Sequence, residues 1–156
     1  MHHDWHRDDG YTISTDSARL DLEGMRMFLE RAYWSEGIPR DILERAIANS
    51  VPFGLYDAHG QVGFARVITD LATFAYLADV YVLEAHRGRG LSKWLMECVL
   101  AHPDLQGFRR WVLLTRDAHG LYRQFGFKVT YVTAPRAISS NPKTRGQTKE
   151  LLIRNY

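Results

Sequence analysis

Features that mark several protein classes are scarce or missing in this sequence of 156 residues. It has a single cysteine, Cys98, which excludes an intramolecular disulfide framework and suits a reducing compartment. No segment reaches the roughly 18 uninterrupted apolar residues of a membrane helix, and the first residues contain no apolar signal core. The net charge is only +2, so composition does not favour nucleic acid or an acidic membrane as partner. We therefore expect a soluble, cytoplasmic protein.

The apolar residues that are present suffice for one core. A hydrophobic content of 46% at this length predicts a single domain over residues 1–156. Residues 1–10 are polar, and we expect them to form a loose lead-in. They include His2, His3 and His6, but no cysteine or acidic residue completes a metal-ligand set at a known spacing, so we expect no metal site.

Apolar periodicity and turn residues divide the rest of the chain into strands and helices. The pattern predicts strands at 11–15, 53–56, 61–69, 74–83, 111–114, 127–133 and 148–154, and helices at about 18–32, 40–49, 91–101 and 117–125. Cys98 lies on the apolar face of the third helix, which predicts a buried small side chain rather than a nucleophile. A strand, a crossover helix and another strand imply one parallel strand pair. The segment 134–147 is predicted to be a surface loop.

The turn before the third helix combines two glycines with several cations. The apolar strand is followed by Glu84-Ala85-His86-Arg87-Gly88-Arg89-Gly90, and the helix then begins. Glycines on both sides of an arginine let the backbone approach a ligand closely, and a helix N-terminus presents unpaired N–H groups and a positive dipole end. A phosphate suits such a site. The two glycines alone are also compatible with a plain tight turn.

A second motif further along the chain supports the interpretation of this turn as a ligand site. The run Arg87-Gly88-Arg89-Gly90-Leu91-Ser92 resembles the Gln/Arg-x-x-Gly-x-Gly/Ala signature of the GNAT superfamily of N-acetyltransferases, with serine at the last position. Tyr122, four residues ahead of Gly126-Phe127, matches the tyrosine of that family's fourth helix. The two motifs stand about 35 residues apart with an apolar strand between them. The resemblance extends over nearly the whole chain, from about residue 11 to residue 154.

The resemblance implies an α+β fold of three layers, α/β/α. Its sheet would be mixed and mostly antiparallel, with about six to seven strands, splayed between the fourth and fifth strands and covered by helices on both faces. It also implies acetyl-CoA as co-substrate, with no metal. The residues that would bind this cofactor are Val80, Tyr81 and Val82 for the pantetheine arm, Arg87, Gly88, Arg89, Gly90, Leu91, Ser92 and Lys93 for the pyrophosphate, and Thr115 where many members have asparagine.

The implied reaction is direct attack of an amine on the thioester, without an acyl-enzyme. By similarity the Val82 N–H polarises the carbonyl, and the Tyr122 hydroxyl protonates the departing thiolate. Some protein-acetylating members have glutamate as base where this chain has Arg110. That base is therefore missing here. Asp79, Glu84 and His119 are the candidate bases, of which we favour Asp79 or Glu84, acting directly or through water. A water chain alone stays open.

The acceptor amine is not named by these motifs. Tyr33 and Trp34 stand at the bend between the first two helices, where large amphipathic rings suit either core packing or the wall of a substrate pocket. The resemblance implies an amino group of a small molecule or peptide as partner, no nucleic acid and no membrane, and it leaves a homodimer open.

Three other functions are compatible with parts of the sequence. A non-catalytic acyl-CoA-binding or regulatory domain could share the fold, but an intact Tyr122 favours an enzyme. A dinucleotide enzyme is disfavoured because Lys93 stands where its fingerprint needs glycine. A nucleic-acid binder could use the cations Arg136, Lys143, Arg145 and Lys149, although the balanced charge favours a solvated basic loop.

Overall fold

The computed structural model describes residues 1–132 and 149–155. Its strands are β1 Asp4–His6, β2 Thr12–Ser14, β3 Val51–Tyr56, β4 Gln61–Thr69, β5 Phe74–Val82, β6 Arg110–Leu114, β7 Lys128–Val132 and β8 Lys149–Asn155. Its helices are α1 Leu22–Leu29, α2 Arg40–Ala48, α3 Leu91–Ala101 and α4 His119–Arg123, with single 3-10 turns at Ser17–Arg19, Glu84–His86 and Pro103–Leu105. No helix in this part of the chain is long and apolar enough to cross a membrane.

The strands form one mixed sheet in the order β1-β2-β3-β4-β5-β6-β8-β7. Among the described strands, only the β5–β6 pair is parallel, and every other neighbouring pair is antiparallel. The predicted α+β class, with a mixed and mostly antiparallel sheet, is confirmed. Within the described residues the sheet has eight strands instead of the six to seven expected, because one more strand forms at the N-terminal edge.

That extra strand corrects the prediction of a loose lead-in at residues 1–10. Asp4–His6 forms β1 and pairs with β2 in antiparallel register. The cause is one aromatic side chain in an otherwise polar stretch: the indole of Trp5 stacks on the ring of Phe53, with 6.0 Å between centroids. The partly buried Trp5 contributes apolar contact that helps to hold a three-residue edge strand, which periodicity does not reveal.

Helices cover both faces of the sheet. On one face α3 packs Leu91, Leu95 and Val99 into a core shared with Phe53, Trp111 and many other strand residues. On the other face α1 and α2 enclose a smaller core of Met25, Leu29, Leu43, Ile47, Phe64 and Tyr81. Cys98 is buried in the first core, as its place on the apolar helix face predicts. The three-layer arrangement therefore follows from two apolar faces of one sheet.

The first helix is shorter than predicted because a cap interrupts the segment 18–32. The side chain of Asp21 accepts a hydrogen bond from the Gly24 N–H, so α1 begins at Leu22. The preceding Ser17–Arg19 forms a separate 3-10 turn, capped in the same manner by Asp16. α2 begins directly after Pro39, as the sequence predicts.

The two halves of the sheet separate in the middle. β5 and β6 pair only from Phe74 opposite Arg110 to Leu77 opposite Leu113, and β5 then continues to Val82 beyond the end of β6. The splay implied by the resemblance therefore lies between β5 and β6. Along this stretch the edge of β5 that faces away from β4 has no strand partner among the described residues.

A bulge in β5 begins at the same point. Phe64 of β4 pairs with Tyr81, and Arg66 pairs with Ala78, so Asp79 and Val80 together oppose the single residue Ala65. Asp79 has a left-handed backbone with φ 54°. The extra residue reverses the alternation of side chains between the two sheet faces. Tyr81 therefore joins the core under α1 and α2 instead of the core under α3.

The buried phenols and thiol predict a stability that falls in alkaline solution. Burial raises the pKa of Tyr56 and of Cys98 to about 12, and it raises the pKa of Tyr81 and Tyr122 as well. The unfolded chain therefore releases these protons first, so stability is fully present at neutral pH and is lost as pH rises past about 9. We expect the urea midpoint to fall steadily between pH 9 and pH 10.5.

Tyr56→Phe provides the matched control for this pH dependence. The Tyr56 hydroxyl is buried and has no hydrogen-bond partner among the described residues, so its removal deletes one ionisable group without breaking a bond. We expect a shallower alkaline decline, by up to about 1.4 kcal/mol for each pH unit above the ordinary tyrosine pKa. A midpoint that stays constant from pH 7 to pH 10.5 in the unaltered protein would contradict the prediction.

Candidate active site

The turn between β5 and α3 is built around two glycines with left-handed backbones. Gly88 has φ +76° and Gly90 has φ +71°, conformations that glycine adopts without strain. Gly90 is the N-cap of α3, and its carbonyl accepts the hydrogen bond from the Trp94 N–H. The N–H groups of residues 91–93 precede this bond and have no partner within the helix. They are the groups with which a helix N-terminus binds an anion.

A solvent-open cavity of about 240 Å³ lies at this turn. It is lined by Val82, His86, Arg87, Gly88, Gly90, Leu91, Ser92, Lys93 and Leu121. All of these except His86 and Leu121 are cofactor residues predicted from the sequence. The cavity joins the end of β5, the turn, the first turn of α3 and, through Leu121, the helix α4 that also carries Tyr122.

The two arginines of the turn differ in position. The Arg87 side chain folds back and its Nε donates to the Val82 carbonyl at 3.0 Å, which braces the turn from within. Arg89 is exposed and is not among the residues that line the cavity, although the resemblance implies a cofactor role for it. The Arg89 carbonyl accepts a hydrogen bond from Nη2 of Arg7 at 3.1 Å.

Arg7 connects the N-terminal edge of the sheet to the turn. Its guanidinium lies over the rings of Tyr11 and Trp94, at 5.5 and 5.4 Å from their centroids. The hydrogen bond with Asp9 raises the pKa of Arg7 and keeps its positive charge in place. Arg7 is not among the residues predicted from the sequence, because 82 positions separate it from Arg89 and no local pattern links them.

His86 belongs to the turn itself, although the sequence motif does not include it. Its Nδ1 lies 2.9 Å from the Tyr11 hydroxyl, and its Nε2 lies 3.8 Å from a carboxylate oxygen of Asp57. These two contacts fix the ring in the cavity wall. A histidine beside two glycines that precede a helix is the signal that could have identified it.

On the other side of the splay, Asp79 is held by two partners. One carboxylate oxygen pairs with Nε of Arg66 at 2.5 Å, and the other accepts a hydrogen bond from Nε1 of Trp34 at 3.2 Å. The side chains of Asp79 and Arg66 are only 8% and 14% exposed. Asp79, a predicted base, therefore lies in a nearly buried network. Glu84, the other favoured base, is exposed at the first position of its 3-10 turn.

The three residues expected to bind the pantetheine arm differ in what their side chains do. The Tyr81 ring stacks on Phe28 with 3.9 Å between centroids, so its side chain belongs to the core under α1. Val80 packs against the core under α3, and Val82 lines the cavity. The side chain of Tyr81 is therefore directed away from the splay, whereas the backbone of residues 80 and 81 follows the unpaired edge of β5.

Tyr122 lies on α4 with 5% of its surface exposed. Its ring meets Phe127 edge-on at 6.0 Å, as the tyrosine–Gly-Phe spacing requires. Burial, with smaller contributions from Tyr33 and Asp117, raises the pKa of Tyr122 above its usual value. The hydroxyl therefore keeps its proton at neutral and moderately alkaline pH, which is the state that a proton donor needs.

Tyr33 and Trp34 are surface residues of the α1–α2 connection. They are 45% and 43% exposed, so of the two roles left open by the sequence the structure disfavours core packing. Their rings meet edge-on at 5.0 Å. Trp34 contacts Asp79 in the bulge, and the Tyr33 hydroxyl accepts the Arg116 N–H at 3.1 Å. The pair thus connects the bulge of β5 to the segment that follows β6.

Two further predicted residues lie on the segment after β6. The Thr115 hydroxyl accepts a hydrogen bond from the Ala118 N–H at 3.0 Å, within the turn that precedes α4. Thr115 is not among the residues lining the cavity. His119 is the first residue of α4 and is partly buried.

Some of the predicted features cannot be placed. The segment 134–147, with Arg136, Lys143 and Arg145, lies outside the described residues, and for Lys149 the structure describes only its place at the start of β8. Across residues 1–132 and 149–155, no three histidine, cysteine or acidic side chains form a group that could hold a metal ion. His3, one of the N-terminal histidines, packs edge-on against His102 at 4.7 Å.

Three comparisons with known proteins each find acetyltransferases. A family model described as an acetyltransferase (GNAT) domain matches residues 48–129. A curated protein of Gibberella zeae, named as a candidate acetyltransferase, is 35% identical, over 80% of this chain and 82% of that protein. The crystal structure of a candidate GNAT acetyltransferase from Xanthomonas campestris pv. campestris is 45% identical, with a TM-score of 0.73 over 88% of this chain and 97% of that one.

A more distant structure shares the fold alone. A GNAT family acetyltransferase from Elizabethkingia anophelis, crystallised with acetyl-CoA bound, has a TM-score of 0.68 at 13% sequence identity. The match covers 96% of this chain and 100% of that chain. The arrangement of sheet and helices is therefore retained where few residues are identical.

Substitution of Gly90 in the turn should weaken ligand binding, and this effect can be distinguished from a loss of stability. Gly90 and Gly107 have φ +71° and +73°, and nothing lies within 4 Å of a Cβ added to either. An alanine at either position adopts the same strained conformation, at about 1–2 kcal/mol. Only Gly90 lines the cavity. We expect Gly90→Ala to weaken coenzyme A binding about tenfold, and Gly107→Ala to leave it unchanged.

Calorimetric titration with coenzyme A and urea unfolding of both variants provide the two measurements. Equal losses of stability with unequal losses of affinity would support a ligand site at the turn. Equal affinities in the two variants would show that the turn is only a chain reversal.

Proposed function

The chain belongs to the GNAT family of acetyltransferases, and we propose that it transfers the acetyl group of acetyl-CoA to an amino group of a small molecule or peptide. The observation that carries the proposal is the cavity at the Arg-Gly turn, which the helix of the buried Tyr122 also borders. A phosphate site alone would suit many functions. A phosphate site that lies beside the helix of a protonated phenol and beside a splayed sheet supports acyl transfer from a thioester in particular.

The cofactor would bind in two parts. The pyrophosphate fits the N–H groups at the start of α3, with the cations of Arg87 and Lys93 beside them. The pantetheine arm is extended and rich in amides, and residues 78–82 offer a strand edge without a partner in the described part of the chain. An added strand of this kind is held by main-chain hydrogen bonds, which explains why the side chains along it are free to pack elsewhere.

The reaction then follows from the groups at the splay. The nitrogen of a neutral amine forms a bond to the thioester carbonyl carbon, the carbon–sulfur bond breaks, and the sulfur leaves with the electron pair. The backbone N–H of Val82 would stabilise the oxyanion. The Tyr122 hydroxyl would donate a proton to the thiolate and recover one from solvent, while the surplus proton of the amine passes to a base.

The proton acceptor would work through water. Asp79 already accepts hydrogen bonds at both carboxylate oxygens, so a direct role would require it to leave Arg66 or Trp34. Glu84 is exposed and outside the cavity lining, so it also needs a relay. We propose Asp79 or Glu84 as the end of such a relay, and for Asp79 the further role of holding the bulge.

Removal of the Tyr122 hydroxyl tests its role as general acid. We expect Tyr122→Phe to lower turnover by about 100-fold or more, because a positioned general acid contributes on this scale, while acetyl-CoA affinity changes little. Tyr56→Phe, which also deletes a buried hydroxyl, is the control with unchanged turnover. Thiol release from acetyl-CoA with a panel of amines measures the rate, and calorimetry measures binding.

The same measurements separate the alternatives. No detectable acetyl-CoA binding would overturn the proposal. Tight binding with no transfer to any amine would favour a non-catalytic acyl-CoA-binding domain. A Tyr122→Phe variant as fast as the unaltered enzyme would remove the acid role but not the activity.

A further inference from the structure

One cation near the splay, Arg116, has no partner charge among the described residues. The guanidinium of Arg116 lies 3.9 Å from the centre of the Tyr33 ring, and Arg116 is exposed. Among the described residues it forms no ion pair, whereas Arg7, Arg26, Arg40 and Arg66 all pair with carboxylates. Stacking on an aromatic ring restricts a guanidinium while its N–H groups stay directed outward in its plane. Arg116 is thus oriented in advance for a ligand.

Arg116 lies where an acceptor would approach the thioester. The last residue of β6 that pairs with β5 is Leu113, opposite Leu77, so Arg116 comes three residues after β5 and β6 part. Its main-chain N–H bonds to Tyr33, and the neighbouring Trp34 bonds to Asp79 in the bulge across the splay. Tyr33, Trp34 and Arg116 form the rim of the splay. Tyr33 also contributes to the raised pKa of Tyr122, so the rim lies near the proposed acid.

The other charges at the rim do not change this picture. The carboxylate of Asp79 is neutralised by Arg66, so it offers no free negative charge to an ammonium group. Asp117 is exposed and next to Arg116 in the chain, but its side chain is not within ion-pair distance of the guanidinium, and its main-chain N–H bonds to Thr115. In the part of the chain that the structure describes, the rim therefore presents one available cation and two half-exposed aromatic rings.

We propose that the acceptor is an amino acid-like molecule, whose carboxylate is bound by Arg116 while its apolar part lies against Tyr33 and Trp34. The proposal rests on the acetyltransferase function given above. A carboxylate accepts two parallel hydrogen bonds from a guanidinium, so the pair fixes both the position and the direction of the acceptor. Anchoring one end of a short molecule also restricts where its amine can meet the thioester.

Matched acceptors test the class. Phenylalanine, phenylalanine amide and phenethylamine share an apolar group and an amine but differ in the carboxylate. With rates compared at equal concentrations of neutral amine, we expect kcat/KM for phenylalanine to exceed the other two by about tenfold or more, because a charge-assisted pair contributes on this scale. Equal rates, or a preference for phenethylamine, would overturn the proposal and leave the acetyltransferase function standing.

Variants of Arg116 assign the effect to this residue. We expect Arg116→Gln to raise KM for phenylalanine about tenfold, Arg116→Lys to restore part of the loss, and neither change to affect phenethylamine. Arg123→Gln, an exposed arginine on α4, is the control with no effect. Unchanged acetyl-CoA affinity in Arg116→Gln verifies that the cofactor site is intact.

An equal loss of rate for all three acceptors in Arg116→Gln would contradict carboxylate recognition and show a structural role instead. The absence of both acetyl-CoA binding and transfer in the unaltered protein would remove the acetyltransferase function itself, and the acceptor proposal with it. The two failures are therefore distinguishable.

Discussion

The ion pair between Asp79 and Arg66 is the interaction on which the geometry of the site depends. It stabilises a non-glycine residue in the left-handed region, a conformation that by itself costs about 1–3 kcal/mol. Because the pair is nearly buried, loss of either partner would leave an uncompensated charge, and such losses typically reach about 3–5 kcal/mol. The bulge it maintains directs Tyr81 to one face of the sheet and Val82 to the other, and it begins where β5 and β6 separate.

Those parts of the molecule that depend on neighbouring residues could be predicted from the sequence. The hairpin of β3 and β4, the apolar face of α3 and the Arg-Gly turn all follow local patterns. The start of α2, directly after Pro39, was also predicted. The features that could not be predicted depend on distant partners. β1 exists because Trp5 meets Phe53, and Tyr33 faces Arg116 across 83 positions. The bulge has no glycine to mark it, and an aspartate inside an apolar strand was its only signal.

The described site has two sides of different construction. On the proposed cofactor side the turn is formed by backbone and is braced by Arg87, Arg7 and His86. On the proposed acceptor side, half-exposed rings and an exposed guanidinium form the rim. Backbone geometry suits a ligand that is always the same. Surface side chains can differ between members of a family while the turn stays unchanged, and this is why motifs in the sequence identify the cofactor more readily than the acceptor.

The contact from Arg7 to the Arg89 carbonyl has a consequence for the order in which the chain acquires its structure. The two residues are 82 positions apart, so the contact closes a long loop at an entropic cost, and we expect it to form late, together with the assembly of β1 to β5. During synthesis the N-terminal strand emerges first, yet its role at the turn waits until α3 has been made. A ligand that prefers the braced turn must, by linkage, also hold β1 against the sheet. Protease resistance of the first ten residues would then report on occupancy of a cavity that those residues do not line.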